Sequence, residues 1–195
     1  MGALLGLIGF SLVSSVTPGP NNVLLLASGS TFGFRRTARH ILGTAAGIGL
    51  MALAVGAGLG VIVASVPAVG VAMKLVGSAY LLYLAVAIAR SGAFHETAIA
   101  RPLGVTQAAA FQLVNPKVWI FALGAMSTFR PADLPVALGT VEVAITMMAV
   151  VIPTAALWAA GGGAFAGILS GGRAARPVSV ALAVLVAATV ISVWV

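Results

Sequence analysis

Long stretches that are almost free of charge dominate this sequence and restrict the chain to a membrane. Charged residues make up 7% of its 195 residues, whereas a soluble domain carries about 25%. Too few charged side chains are present to cover a water-facing surface, but the hydrocarbon core of a bilayer tolerates such a composition. Because the chain is too short for several domains, we expect a single transmembrane domain over residues 1–195.

Six apolar stretches approach or exceed the length that crosses a bilayer as a helix, which is about 20 residues. We therefore predict an all-α membrane protein with six transmembrane helices. The predicted spans are Ala3–Ser28, Ile41–Val63, Val69–Ala89, Val105–Met126, Val136–Phe165 and Val178–Val195.

The arginines between these spans predict the orientation of a multi-pass protein. One side of the predicted membrane holds a single arginine, Arg130, and the other holds Arg35, Arg36, Arg39, Arg90, Arg101, Arg173 and Arg176. Short cytoplasmic loops collect Lys and Arg, so the arginine-rich side is predicted to be cytoplasmic and both termini to lie outside. The net charge of +7 is thereby explained by loop anchors and does not indicate a nucleic-acid partner.

Short matches between the two halves of the chain predict an internal repeat. Val16-Thr17-Pro18 aligns with Val114-Asn115-Pro116 at an offset of 98 residues, and Gly43-Thr44 aligns with Gly139-Thr140 at an offset of 96. A repeat of three spans must insert with opposite orientations, which is the inverted-repeat plan of many secondary transporters. We predict two inverted three-helix repeats, residues 1–90 and 103–195, with helices one and four broken.

The strongest candidate for a substrate-binding segment lies inside the first span. Its two prolines remove the helical donors of the Ser14 and Val16 carbonyls, so the helix must break there. The two asparagines are expected to cap the half-helix that follows. A break presents free carbonyls and free N–H groups, which are the partners that an amino-acid zwitterion needs, although a simple kink is the alternative. The segment consists of Thr17, Pro18, Gly19, Pro20, Asn21 and Asn22.

A second candidate lies in the fourth span, at Asn115, Pro116 and Lys117. A lysine at the centre of a bilayer costs about 3 kcal/mol or more, and no carboxylate lies near the middle of any span. Its partners must be carbonyls, water or an anionic substrate group, and we expect a substrate carboxylate. The two half-helix N-termini would converge on the same anion, while a purely structural lysine is the alternative.

Glu142 and the small residues are open to two interpretations each. Glu142 is the only acid inside a predicted span, so it is a candidate for proton coupling, but pairing with Lys74 or Arg130 is slightly favoured. Three pairs of glycines have the small-xxx-small spacing that lets helix backbones approach closely: Gly43 and Gly47, Gly56 and Gly60, and Gly163 and Gly167. We predict tight packing at these pairs rather than a sliding surface.

Three segments of the sequence resemble the LysE/RhtB family of amino-acid exporters. Thr17–Asn22 followed by Gly33–Arg36 resembles the family's N-terminal signature, Lys74–Leu81 resembles its third-helix segment, and Asn115–Lys117 resembles its central motif. The match is specific up to about Phe129 and then fades into generic hydrophobicity.

This resemblance implies a secondary transporter that exports an amino acid or a small derivative from the bacterial cytoplasm across the inner membrane, driven by the proton-motive force. The expected partners are a zwitterionic small molecule and the lipid bilayer, and a homo-oligomer remains open. With no cysteine and only 3 acidic residues, we expect neither a metal site nor a cofactor.

Two other classes of function were weighed against transport. A membrane-embedded enzyme is not expected, because the spans contain no Ser/His/Asp set and no paired carboxylates, and His40 and His95 fall alone in predicted loops. A structural or assembly subunit is the remaining alternative, but it would not need two broken helices and a central lysine.

The predicted topology can be tested with single cysteines and an impermeant thiol reagent in intact cells. Cysteines that replace Ser91 and Ser170 should be shielded, because both positions are predicted to be cytoplasmic, and one that replaces Ala132 should be labelled. Labelling at Ser91 without labelling at Ala132 would invert the orientation.

Overall fold

The part of the chain that the structure describes is helical and contains no β-strand, as predicted. The computed structural model describes residues 2–90, 101–164 and 175–194. Its helices are α1 (Gly2–Val16), α2 (Pro20–Phe32), α3 (Phe34–Ala54), α4 (Gly60–Ser65), α5 (Pro67–Arg90), α6 (Val105–Val114), α7 (Pro116–Phe129), α8 (Val136–Ala164) and α9 (Ala175–Trp194).

Within these residues, two helices are individually long and apolar enough to cross a bilayer. They are Phe34–Leu59, with 26 residues, and Val136–Ala164, with 29. Helices α1 and α2 form a third crossing if they are counted as one span that bends by 61°. The other apolar helical segments, Gly70–Tyr83, Val105–Val114 and Arg176–Ala188, have 10–17 residues. Six spans in two inverted repeats therefore stay a prediction. The residues Ser91, His95, Ser170 and Arg173 lie outside the described part of the chain.

Helix α3 begins earlier than the hydrophobicity predicted, at Phe34 instead of Ile41. Gly33 makes the sharp turn from α2 with φ 79°, in the region that favours glycine, so that α3 follows directly. Apolar composition shows where a helix enters hydrocarbon, not where the helix starts. The prediction that His40 lies in a loop is therefore wrong, and His40 is a buried helical residue.

The other end of the same predicted span is irregular. A π-helical turn at Val55–Leu59 follows α3, and Gly58 within it has φ 105°, another conformation that favours glycine. The chain then continues as the short helix α4. The continuous second span predicted over Ile41–Val63 is therefore interrupted near its end.

Small residues allow α3 to pack closely against α6. A Cβ atom added to Gly47 would lie 2.7 Å from the carbonyl oxygen of Ala109, and one added to Gly43 would lie 2.7 Å from the Cβ of Ala108. Neither position has room for a larger side chain. The predicted tight packing is confirmed at Gly43 and Gly47, and also at Gly56 and Gly60, where a Cβ would be too close to Thr140 and Leu123. It is wrong at Gly163, where a Cβ would find its nearest atom at 3.9 Å, and Gly167 lies outside the described residues.

Helices α2 and α8 meet through a reciprocal pair of glycines. A Cβ on Gly29 would overlap the carbonyl oxygen of Ala159, and a Cβ on Gly162 would overlap the carbonyl oxygen of Leu26. Because backbone atoms occupy the space in both cases, a side chain cannot be accommodated by a change of rotamer. The two glycines therefore fix the distance between the second half of the broken helix and α8.

Two apolar clusters hold the remaining helices together. One joins α1, α3, α7 and α8 and includes the fully buried side chains Leu7, Met51, Val143 and Met147. The other joins α2, α5, α6 and α9 and includes Val23, Leu81 and Val186. Burial of these side chains positions the two broken helices against each other.

The glycine contact between α2 and α8 predicts a large effect of a single methyl group. Gly162→Ala should destabilise the protein by about 1–3 kcal/mol, the usual cost of overpacking, because α2 must move away from α8. Gly163→Ala is the matched control, since a Cβ at Gly163 would find its nearest atom at 3.9 Å. Thermal unfolding of the purified variants in detergent measures the difference, and equal melting temperatures would contradict this packing.

Candidate functional site

The first transmembrane helix breaks where the prolines predict it. Helix α1 ends at Val16 and α2 begins at Pro20. Between them Gly19 is fully extended, with φ −167° and ψ 172°, and precedes the first turn of α2 without any side-chain capping bond. The break therefore leaves the carbonyl end of one half-helix beside the N–H end of the other.

Asn22 closes the carbonyl end of this break. Its side-chain Nδ2 donates to the carbonyl oxygens of Ser15, at 2.8 Å, and Thr17, at 2.9 Å. The prediction that Asn21 and Asn22 cap α2 is therefore wrong, because Asn22 reaches back to α1 and Asn21 points to other helices. The amide nitrogen of Asn22 suits this position because it is a donor, and the backbone carbonyls that need partners there are acceptors.

Lys117 supplies a second set of donors at the break and shares the Thr17 carbonyl with Asn22. Its Nζ lies 2.5 Å from the carbonyl oxygen of Thr17 and 3.5 Å from that of Pro18. The lysine stem passes beside Gly19, where a Cβ would lie 3.0 Å from the lysine Cδ. Of the partners predicted for Lys117, the structure contains the carbonyls. The negative end of the α1 dipole thus faces the ammonium group.

The break in the fourth helix is satisfied locally. Asn115 separates α6 from α7, and its side-chain oxygen accepts the backbone N–H of Lys117 at 3.2 Å. The Trp119 indole donates to the carbonyl oxygen of Leu113 at 2.8 Å. Because Asn115 already caps α7, the first-turn N–H groups of α7 are less available to a ligand than those of α2.

Asn21 is the centre of a buried polar network that joins three helices. Its Oδ1 accepts from Gln112 Nε2 at 2.9 Å and from Thr44 Oγ1 at 3.2 Å, and His40 Nε2 lies 3.3 Å away. Since an amide oxygen only accepts, His40 carries a hydrogen on Nε2. These contacts fix the orientation of the Asn21 side chain.

A cavity of about 40 Å³ lies between the two breaks. It holds about one water molecule, so it is too small for an amino acid as it stands. Its polar or break-forming lining residues are Ser14, Ser15, Gly19, Pro20, Asn21, Asn22, Thr44, Gln112, Asn115, Lys117 and Thr154. The breaks at α1–α2 and α6–α7 therefore face one cavity, as predicted.

Some of the predicted site residues lie outside this lining. Thr17 and Pro18 contribute carbonyls to Lys117, while the Thr17 hydroxyl donates to the carbonyl oxygen of Val13. Pro116 borders a separate apolar groove and packs against Gly77.

Several cavity residues were not predicted from the sequence. The hydroxyl and amide groups of Ser14, Ser15, Thr44 and Gln112 were missed because none of these residues breaks a helix or carries a charge. Gln112 could have been found, since it lies one helical turn before Asn115. Thr44 was noted only for the repeat.

Glu142 lies away from the cavity. It is not a lining residue, and no ion pair involving its carboxylate is present among the described residues. Lys74, one of the partners considered for it, instead has its Nζ 5.6 Å from the centre of the Trp194 ring. The favoured pairing with Lys74 is thus replaced by a cation–π contact.

The arrangement offers both acceptors and donors to a small ligand. Pro18 has no N–H for the Ser14 carbonyl, and the first-turn N–H groups of Asn21 and Asn22 have no acceptor within α2. Lys117 adds a positive charge, and no acidic side chain lines the cavity. No group of three or more metal-ligating side chains was found in residues 2–90, 101–164 and 175–194.

Comparison with known proteins gives a family. Residues 12–195 match the model of the LysE type translocator family. Over 121 residues the chain is 36% identical to the cysteine/O-acetylserine efflux protein of Salmonella choleraesuis strain SC-B67 and 34% identical to that of Escherichia coli strain K12. These alignments cover 62% of this chain, and the chain spans 62% of each relative's length.

No solved structure matches the chain. The family match nevertheless extends over both broken helices and the cavity between them. The chain belongs to the LysE type translocator family, whose members are membrane transporters and not enzymes.

Proposed function

We propose that the chain exports a small zwitterionic amino acid across the bacterial inner membrane. The observation that carries this proposal is the Lys117 ammonium on the free carbonyls of the first broken helix. Those carbonyls are the acceptors that a substrate ammonium would use, and Lys117 is the cation that a substrate carboxylate would attract. A structural subunit would have no use for a cavity with this pairing.

A substrate would enter by exchanging partners with Lys117. The empty cavity has room for about one water molecule, so the lysine side chain must move to admit an amino acid. Its ammonium then follows the substrate carboxylate, near the N–H end of α2, while the substrate ammonium takes over the released carbonyls. Each charge keeps a partner throughout, which avoids an uncompensated charge in a low-dielectric site.

The substrate class follows from the lining and from the relatives. The relatives are named for efflux of cysteine and O-acetylserine, which are small amino acids without a charged side chain. No acidic side chain lines the cavity to neutralise a basic substrate. We propose a neutral amino acid of this size, exported from the cytoplasm.

An inverted repeat would account for alternating access to this cavity. The proposed single domain contains repeats 1–90 and 103–195, and both halves have a helix broken at proline, α1–α2 and α6–α7. The contacts are also similar, since α3 packs on α6 and α8 packs on α1. Rocking of one repeat against the other would expose the cavity to each side in turn. We propose six spans with both termini outside.

The proposed driving force is an inward proton gradient, and His40 is better placed than Glu142 to respond to it. His40 is fully buried and touches Asn21 in the cavity wall, whereas Glu142 lines no part of the cavity. Protonation of His40 would add a second positive charge near Lys117. That charge would oppose the substrate ammonium, so proton and substrate would exclude each other.

No carboxylate near His40 stabilises its protonated form in the described structure. Helices α2 and α6, which pack on α3 at this level, contain no ionisable side chain. On its own helix the charged neighbours are Arg35, Arg36 and Arg39, and the other helices packed on α3 carry only Lys117 and Glu142. Proton binding at His40 would therefore be sensitive to whether the cavity holds a substrate carboxylate.

Loss of the Lys117 charge is expected to abolish export without unfolding the protein. Lys117→Met keeps the length of the side chain but removes the donor to the Thr17 carbonyl and the partner of the substrate carboxylate. Efflux of O-acetylserine or cysteine from sealed proteoliposomes should fall about tenfold or more, as expected for a lost charged hydrogen bond.

The control for this variant is Lys74→Met, which removes the chain's other lysine, outside the cavity. It should export at the normal rate. Normal export by a correctly inserted Lys117→Met protein would exclude Lys117 as the substrate ligand, and absence of export from the wild-type protein for any amino acid would favour the structural subunit.

Proton coupling can be assigned with two matched variants. His40→Gln retains a donor to Asn21 but cannot titrate, so it should lose stimulation of export by a pH gradient and retain exchange of substrate across the vesicle membrane. Glu142→Gln should keep both activities. Loss of gradient-driven export in Glu142→Gln alone would transfer the coupling role to Glu142.

A further inference from the structure

Four arginines converge on a second cavity, away from the central one. Arg35, Arg36 and Arg39 come from the first turns of α3, and Arg101 comes from the segment before α6. The cavity has a volume of about 720 Å³ and is open. Its other lining residues are Pro102, Leu103, Gly104, Thr106 and Gln107. The two arginine groups are far apart in sequence, so the fold alone brings them together.

The positive charge of this cluster is not balanced by the protein groups that the structure describes. No carboxylate lines the cavity, and none of the four arginines forms an ion pair within the described ranges. Helix α6 also begins at this cavity, after Gly104, and its N-terminus adds a partial positive charge. Like charges that line one cavity repel one another unless an anion lies between them.

An exposed apolar stripe runs along α3 from the arginine cluster. Leu42, Leu50 and Leu53 are 55%, 57% and 39% exposed. Helical spacing puts them on the same face as Arg35 and Arg39. The distance along the helix from Arg39 to Leu53 is about 21 Å at 1.5 Å per residue, which is enough to cross the acyl region of one leaflet, about 15 Å.

We propose that this cavity binds the phosphate headgroup of an anionic phospholipid of the cytoplasmic leaflet. Guanidinium groups bind phosphate oxygens in a bidentate manner, and basic pockets between helices on the cytoplasmic side are suited to such headgroups. The apolar stripe of Leu42, Leu50 and Leu53 would accommodate an acyl chain of the same molecule. A free phosphate ion would use the arginines but would leave that stripe without a role.

Membrane orientation alone does not account for the arrangement. The positive-inside tendency requires basic residues on the cytoplasmic side, but it does not require them to line one cavity or to stand at the end of an apolar stripe. The proposal is also independent of the exported substrate, because none of these arginines lines the central cavity.

The test compares lipid retention by the full-length protein in vesicles of defined composition. Purified protein is reconstituted in phosphatidylethanolamine alone or with phosphatidylglycerol or cardiolipin, and the lipid that remains bound is measured by native mass spectrometry. The wild-type protein should retain the anionic lipid. Arg39→Gln with Arg101→Gln should weaken retention about fivefold for each arginine removed, since each contributes about one such factor near an anionic surface.

Two further variants distinguish this site from a general charge effect. Arg130→Gln removes an arginine outside the cavity and should retain the lipid normally. Arg39→Lys with Arg101→Lys keeps the charge and should retain more lipid than the glutamine pair. Two results would overturn the proposal. One is equal lipid retention by the wild-type protein and the glutamine pair. The other is protection from thermal unfolding by inorganic phosphate without lipid that equals the protection given by the anionic lipid.

Discussion

The contact between the Lys117 ammonium and the carbonyl end of α1 is the interaction on which the proposed site depends. Pro18 and Pro20 remove the N–H groups that would continue the helix, so the carbonyls of the last turn of α1 need other donors inside the membrane. Asn22 donates to the Ser15 carbonyl of that turn, and Asn22 and Lys117 both donate to the Thr17 carbonyl in the break that follows. The same contact gives a half-buried cation a partner in a cavity without a carboxylate, so the broken helix and the lysine stabilise each other.

This pairing explains why the rest of the site is built from rigid parts. Gln112 and Thr44 donate to the side-chain oxygen of Asn21, and His40 is its third contact. Glycines hold α2 against α8 and α3 against α6 at distances that admit no side chain. The helices around the cavity are therefore closely packed in this state. A change of partner at Lys117 offers a simple way for substrate binding to bias a transporter between this state and another.

The sequence predicted the features that depend on covalent chemistry and on small residues, and missed those that depend on which side chains the fold brings together. Prolines lack an N–H whatever surrounds them, so both breaks and the deep lysine could be inferred. The start of α3 could not, because hydropathy responds to the bilayer and Gly33 sets the turn; His40 was consequently assigned to a loop. The capping role of Asn22 was reversed, since only the fold shows which half-helix an amide can reach. Thr44 becomes recognisable only when the fold brings it to Asn21 together with Gln112.

We propose above all that Lys117 leaves the carbonyls of Thr17 and Pro18 for the carboxylate of a bound substrate. The chain contains only two lysines, Lys74 and Lys117, so protein labelled with ¹⁵N at the lysine Nζ should give two resolved side-chain signals in lipid bilayers. Addition of O-acetylserine or cysteine should shift the Lys117 signal and leave the Lys74 signal unchanged, with Lys74→Met used to assign them. A Lys117 signal that does not respond to a substrate shown to be transported would contradict the account.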